Sequence, residues 1–324
     1  LKYSQLDFLT SRLISIFVLF LALNTLMMLQ GVFFGYQDYF DYFTGSNRGF
    51  NNHNGSQSLL ELSLVGGRSG GVFVQAYEAG TAYTLGILSF VYLIKSSRIK
   101  PTALIFFTFM LLVLGGVMSG SKVFIFSLLG LVPLYLGILG IKKLILNRNF
   151  LFVLIISILF IFYFINLYNQ NGIETEVPLL KVFTHSLKFL DRENIPILLE
   201  LLFKSRGDYI FNTLEEILNS FPLHGYGLGS LQTMDSGLIF YMWTGGIISL
   251  FLTLCIFLVI FTKAIIAMLS NRFEDGSYLF FSWIAILFAF YAGPILVANR
   301  VAIFIWFFMV LFFIRLNKTN KIPV

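Results

Sequence analysis

Apolar runs alternate with short polar gaps along nearly the whole chain, and one long polar stretch, 168–236, breaks that rhythm. Eight runs approach or reach the roughly 20 residues with which a helix crosses a bilayer: 13–33, 77–94, 102–118, 123–141, 150–167, 237–262, 277–294 and 301–315. The last is short and has room to begin nearer Pro294. The pattern predicts an all-α, polytopic membrane protein in three parts. Residues 1–167 carry the first five spans and a polar loop at 34–76, residues 168–236 form a large helical loop, and residues 237–324 carry the last three spans and a tail.

Within the long loop, Leu179, Leu180, Phe183, Leu187 and Leu190 recur near helical spacing until Pro196 interrupts them. A second apolar run, Ile197 to Phe203, precedes Lys204-Ser205-Arg206-Gly207-Asp208. A helix is expected from Asp208 to Asn219, with the aspartate near its positive end and Ser220-Phe221-Pro222 stopping it. Such segments read as amphipathic helices that lie on a leaflet or cap the bundle.

Basic residues set the orientation. Lys2 and Arg12; Lys95, Arg98 and Lys100; Lys142, Lys143 and Arg148; Lys263 and Arg272; and Arg315, Lys318 and Lys321 fall in alternate gaps. The other short gaps hold only Lys122 and Arg300. The positive-inside rule therefore puts both termini in the cytoplasm and 34–76, 119–122, 168–236 and 295–300 outside. Twelve of the sixteen acidic residues then lie in outer loops, in agreement. The chain begins at Leu1 rather than methionine, which leaves room for an upstream portion. No cleavable signal peptide is recognisable, and the first run is long enough to span.

Composition narrows the function classes. With 57% hydrophobic and 12% charged residues, a soluble domain is excluded. The lone Cys255 and three scattered histidines, His53, His185 and His224, offer neither a disulfide framework nor a zinc site, and no metal or cofactor is expected. The net charge of +6 sits mainly between apolar runs, so it reports topology and not nucleic-acid binding. The 39 phenylalanines read as lipid-facing and packing surface.

The outer face gathers four cations, Arg68, Lys122, Arg206 and Arg300, with Asp235 and His224 as candidate bases. Cations at a membrane surface suit a lipid-linked phosphate or pyrophosphate, whose oxygens a guanidinium grips in bidentate fashion. In that low-dielectric layer they also stabilise charge developing on a leaving phosphate. Each has a plainer reading. Arg206 could pair with Asp208 or Glu200 on a solvated helix, and Lys122 and Arg300 could be juxtamembrane anchors. Arg68, between Gly66-Gly67 and Gly70-Gly71, occupies a flexible setting that suits either close phosphate approach or a mobile loop. Asp235 could simply cap the helix that follows. His224 could be packed or solvent-facing, although histidine is the side-chain type that titrates nearest neutrality.

GYGLG at 225–229 follows no strand and is not a dinucleotide fingerprint; its glycines permit a tight turn that lets backbone approach the membrane or the sugar. Asp38 and Asp41, in YQDYFDYF, read first as solvating acids in an interfacial aromatic belt. Asp191-Arg192-Glu193 has the spacing of metal–nucleotide sites, but on an outer face it would not meet nucleotide-sugars.

The order of motifs carries more than any one of them. GRSGGVFVQAYEAGTAY (67–83) is followed by SGSKVFIFSLL (119–129), SRGDY (205–209), FPLHGYGLGS (221–230) and DSGLIFYMWTGGIISLFL (235–252). That succession, over roughly residues 60–260, resembles the bacterial O-antigen polymerase and O-antigen ligase superfamily (the Wzy and WaaL types). The final block, a polar pair before an aromatic-rich span with an early Gly-Gly, is its most telling part. The resemblance implies a metal-independent, GT-C-like glycosyltransferase in the bacterial cytoplasmic membrane. External arginines would hold an undecaprenyl-pyrophosphate donor, while a base helps an acceptor hydroxyl attack the anomeric carbon. Arg206 matches the family's loop arginine, and Lys122 stands where many members have arginine in an SGSR-like turn. Asp235-Ser236 stands where ligases usually have His-Asn and polymerases more often an acid, which favours a polymerase. Asp38 and Asp41 follow the first span, where GT-C enzymes often carry an acidic pair.

The leading expectation is a polymerase of lipid-linked oligosaccharide repeats (O-antigen or capsule type), with a chain-length regulator as a further candidate partner. The alternative is a ligase that uses lipid A–core as acceptor. A flippase or transporter is the rival from another class. Ion-coupled transporters place charges inside their spans, whereas these spans carry essentially none, Glu78 lying only at an outer end. Gly- or Pro-broken helices in repeated halves are also not evident.

Overall fold

The computed structural model describes residues 3–34, 71–73, 75–96, 103–139, 206–227, 236–297 and 300–318. Among them there are helices and turns and no strand. The helices are α1 (Tyr3–Phe34), α2 (Ala76–Lys95), α3 (Ala103–Met118), α4 (Lys122–Phe126), α5 (Val132–Ile138), α6 (Arg206–Ser220), α7 (Gly237–Leu269), α8 (Phe273–Ala292) and α9 (Ala302–Lys318). Gln5–Gly31 of α1, all of α7 and all of α8 are long and apolar enough to cross a membrane; Leu104–Met118, Lys122–Ile138 and Ala302–Asn317 are shorter apolar helices. Seven of the eight expected runs fall on these helices, and 150–167 lies outside the described residues. The chain divides into two compact units, 11–189 and 1–10 with 190–324.

In the first unit α2 is the hub. Every residue from Glu78 to Leu93 is buried, so the helix has no outward face and no need of a lipid-like surface. Close approach explains how neighbours fit around it. A Cβ on Gly86 would run into Leu21 of α1, and one on Gly80 into Ser121 at the start of α4. Polar groups on α2 find partners inside the bundle. The Tyr83 hydroxyl lies 2.9 Å from Thr25 Oγ1, accepts from Asn24 Nδ2 at 3.0 Å, and lies 3.2 Å from the Leu21 carbonyl. Thr25 in turn donates to the Leu111 carbonyl of α3 at 2.9 Å.

Between α4 and α5 the helix widens into a π turn, Ser127–Leu131, just before Pro133. Proline has no N–H to return to the preceding turn, and the wider turn makes room for its ring.

The second unit is built on the antiparallel pair α7–α8. Gly237, which opens α7, lies against the ring and carbonyl of Phe290 near the end of α8, and Gly276 near the start of α8 lies against Ala267 and Met268. Midway, Trp283 Nε1 donates to the Phe257 carbonyl at 2.9 Å. These three contacts fix the course of α7. From Phe257 back to Gly237 a straight helix would rise about 30 Å, while α8 advances only about 10 Å from Trp283 to Phe290. The first part of α7 must therefore turn aside.

It does so at Gly245 (φ −141°, ψ 16°) and Gly246 (φ 62°, ψ −161°), whose backbone angles are not helical. The expected run 237–262 is thus a broken helix that continues to Leu269, which corrects its reading as an uninterrupted span.

The expected absence of charge from the helices needs a second correction. Asp275, in the first turn of α8, and Arg315, near the end of α9, are both buried. Arg315 pairs with Asp7 of α1 at 2.8 Å and with Asp275 at 3.0 Å. Arg272 donates to the Arg315 and Leu316 carbonyls at 2.9 and 3.1 Å, closing the C-terminal end of α9. These basic residues bind helix ends together.

Candidate functional site at the broken helix

The break in α7 leaves two backbone groups of the helical ladder without each other: the Trp243 carbonyl and the Ile247 N–H. The turn after α6 supplies both partners. Ile247 N–H donates to the Pro222 carbonyl at 2.9 Å, and Tyr226 N–H donates to the Trp243 carbonyl at 2.6 Å. Sequence explains why that turn is available. Pro222 cannot continue α6, and Gly225 N–H donates to the Phe221 carbonyl at 3.0 Å, closing the loop on itself.

Two glycines with positive φ make the fit possible, Gly225 (62°) and Gly246 (62°). A Cβ on Gly246 would overlap the Leu223 backbone and the His224 nitrogen, and one on Gly225 would overlap the Trp243 and Met242 carbonyls. Gly225 does serve close backbone approach, but what it approaches is the Gly-Gly of the last motif block and not the membrane or a sugar, while a Cβ on Gly227 would meet nothing within 4 Å.

Aromatic contacts seal the joint. Tyr226 stacks on Trp243 with centroids 4.2 Å apart, and Phe221 meets Tyr226 edge-on at 5.0 Å. Below them Ile217 of α6 packs with Ile239, Met242 and Trp243 of α7. His224 rides on the outside of this joint, exposed, with its ring edge-on to Phe221 at 5.6 Å.

The remaining expected site residues distribute as follows. Arg206 opens α6, which runs Arg206–Ser220, close to the expected 208–219. His224 lies just past the other end of that helix, so about 20 Å of helix separates the two positions. Asp235 lies outside the described residues, but its neighbour Ser236 is buried and stands at the N-cap of α7, with no side-chain capping bond.

Gly237 packs on Phe290, so this start of α7 sits at the end of α8 that leads through Gly293-Pro294 toward Arg300. Arg300 is half-buried and precedes the fully buried Val301. The turn before it is fixed from within, since Trp306 Nε1 donates to the Leu296 carbonyl at 2.9 Å.

Lys122 and Arg68 belong to the other unit. Lys122 is half-buried at the first position of α4, after a turn in which Gly120 takes φ 60°. Ser119 Oγ donates to the Gly116 carbonyl at 2.6 Å and accepts from Ser121 N–H at 3.3 Å. Buried Glu78, in the first turn of α2, lies at the same end of that helix as Gly80, which Ser121 touches. Arg68 lies outside the described residues, as do Asp38, Asp41, Asp191 and Glu193.

Gly71, three positions after Arg68, packs closely on α1. It takes φ 60° against Asn24 and Met28, and Val72 N–H donates to Asn24 Oδ1 at 2.9 Å. Sequence reasoning did not find Asn24, Tyr83 or Thr25; polar residues in apolar helices were the only signal. Among the described residues no group of three or more His, Cys, Asp or Glu side chains could hold a metal ion. No family model matches the chain, and neither a curated protein nor a solved structure gives a match.

Proposed function

We propose that the chain is a polymerase of lipid-linked oligosaccharide repeats, working at the outer face of the bacterial cytoplasmic membrane as one of eight-span, GT-C-like architecture. The observation that carries this reading is the joint at Gly246. FPLHGYG and the WTGG of the block that is most telling for the resemblance are separate in sequence yet interlock backbone to backbone. A fixed joint of that kind gives an external loop a rigid seat beside the start of α7, where Asp235 precedes the helix.

In this reading the donor is a glycan on undecaprenyl pyrophosphate and the acceptor is another lipid-linked repeat. A base takes the proton of an acceptor hydroxyl, whose oxygen bonds to the anomeric carbon. The bond from that carbon to the pyrophosphate oxygen breaks, and the pyrophosphate leaves with the electron pair. Arg206 holds the pyrophosphate, with Arg68, Lys122 and Arg300 as the other candidate cations. Asp235 is the first candidate for the base and His224 the second.

The test is complementation of a polymerase-deficient strain that makes the matching repeat, with the glycan ladder read on a gel and membrane expression checked for each variant. Wild type should restore long chains, while expressed Arg206→Ala and Asp235→Ala should leave single capped repeats. A full ladder from both variants would remove the site assignment. Wild type that transfers existing polymer to lipid A–core without extending repeats would make the chain a ligase.

A further inference from the structure

The apolar sector of α6 is wider than the surface that α7 covers. Thr213 and Ile217 are buried, and Leu214 packs at the margin of the same cluster. Phe211 and Leu218, seven residues apart on one strip of the helix, lie beyond that margin and are 72% and 47% exposed. Glu215 borders that strip, four residues on from Phe211, and Asn219, Asn212 and Glu216, also exposed, continue round to the polar side.

The exposed strip does not end with the helix. Phe221 and Leu223 of the following turn are 42% and 61% exposed, and the adjacent Pro222 carbonyl is bonded to Ile247 N–H. Ile247 begins the outward side of α7, where Ile248, Phe251 and Leu252 are exposed on a helix apolar enough to span a membrane.

We infer that α6 is an interfacial helix whose Phe211–Leu218 strip, with Phe221 and Leu223, rests in the lipid of the leaflet where α7 begins. The occupant is lipid because the strip continues the exposed apolar side of a spanning helix across one backbone hydrogen bond. The wet side of α6 carries Asn212, Glu216 and Asn219, with Glu215 at its border, as a helix lying in the plane of an interface requires. The joint at Gly246 then does mechanical work: it fixes the depth of α6, because the turn is spliced into the backbone of a helix held by the bilayer. This inference does not depend on the proposed enzymatic activity.

The test places an environment-sensitive fluorophore on single cysteines in the full chain with Cys255→Ser. The sites are Phe211→Cys, Leu218→Cys and Leu223→Cys for the strip, and Asn212→Cys and Glu216→Cys for the wet side. Each labelled protein is reconstituted in phosphatidylglycerol–phosphatidylcholine vesicles, with or without acyl-brominated phosphatidylcholine, and titrated with iodide. Thermal unfolding matching the unlabelled parent qualifies each site. Labels at 211, 218 and 223 should be quenched by the brominated lipid and be severalfold less sensitive to iodide than labels at 212 and 216. Equal iodide quenching at all five sites would overturn the proposal in favour of a solvated loop. Protection of the strip from both quenchers would overturn it in favour of a protein cover, from elsewhere in the chain or from a second copy.

Discussion

Helices α2 and α7 are both long enough to cross a bilayer, yet they face opposite surroundings. Helix α2 is buried on every side and carries tyrosine, threonine, serine and glycine among its aliphatic residues. Helix α7 shows Phe251, Leu252, Leu258 and Ile266 outward and is the most apolar and least buried of the three long apolar helices. Helix α8 is the least apolar of those three and the most buried. Hydropathy along this chain therefore reports contact with lipid more than membrane depth. A helix enclosed by others can exchange aliphatic surface for hydrogen bonds, because its polar groups never meet hydrocarbon.

The sharpest way to break that comparison is one substitution made in both helices. Leu88 of α2 is fully buried and Leu258 of α7 is 66% exposed. Leu88→Ala should cost about 2–5 kcal/mol, the range for emptying a packed site, whereas Leu258→Ala should stay within about 0.5 kcal/mol. Unfolding midpoints in detergent micelles check both. Equal losses would mean that α7 is packed against protein on the side where it is exposed.

Next in size is the break itself. Gly246→Val puts a side chain at φ 62°, ψ −161°, on top of the Leu223 backbone. A backbone region that only glycine favours costs about 1–3 kcal/mol by itself, and the overlap also displaces the turn. A loss of about 2–4 kcal/mol is expected, with protease sensitivity appearing near Leu223. Gly130→Val is the control, because a Cβ there meets nothing within 4 Å. A Gly246→Val protein as stable as that control would show that the turn and α7 are not spliced together.

Much of this arrangement was legible beforehand, for identifiable reasons. Apolar runs located the helices because lipid contact and helix packing both select against charge. Pro222 and the acids of α6 located that helix within two residues, since proline ends a helix whatever surrounds it. The joint was only half legible. Glycines at 225 and 227 and at 245–246 announced unusual backbone, but no local rule says that one glycine turn fills the gap left by another. The ion-paired trio of buried Asp275 and Arg315 with partly exposed Asp7 was hidden for a different reason. Charges at the ends of apolar runs look the same in sequence whether they face water or each other. Which of Asp235 and Ser236 stands at the N-cap is a one-residue distinction that pattern does not resolve.

The smallest expected effect separates two buried polar bonds. Trp283 Nε1 donates to a Phe257 carbonyl that already belongs to the α7 ladder, and its ring lies against Phe257 with centroids 4.5 Å apart. Trp283→Phe removes the donor, keeps an aromatic ring in place and strands no acceptor, so the loss should be about 0.6–1 kcal/mol, typical of a bond between membrane helices. Tyr83→Phe is the counterpart in α2. It withdraws an acceptor from Asn24 Nδ2, leaving that buried donor the Met28 sulfur at 3.5 Å, while Thr25 Oγ1 keeps the Leu111 carbonyl. The asymmetry between losing a donor and stranding one puts that cost higher, at about 1–3 kcal/mol. Parallel unfolding of the two variants measures the difference. If Trp283→Phe proves the more damaging, the α7–α8 pair depends on polar bonds as much as the enclosed helix does, and the division between lipid-facing and enclosed helices has to be redrawn around α8.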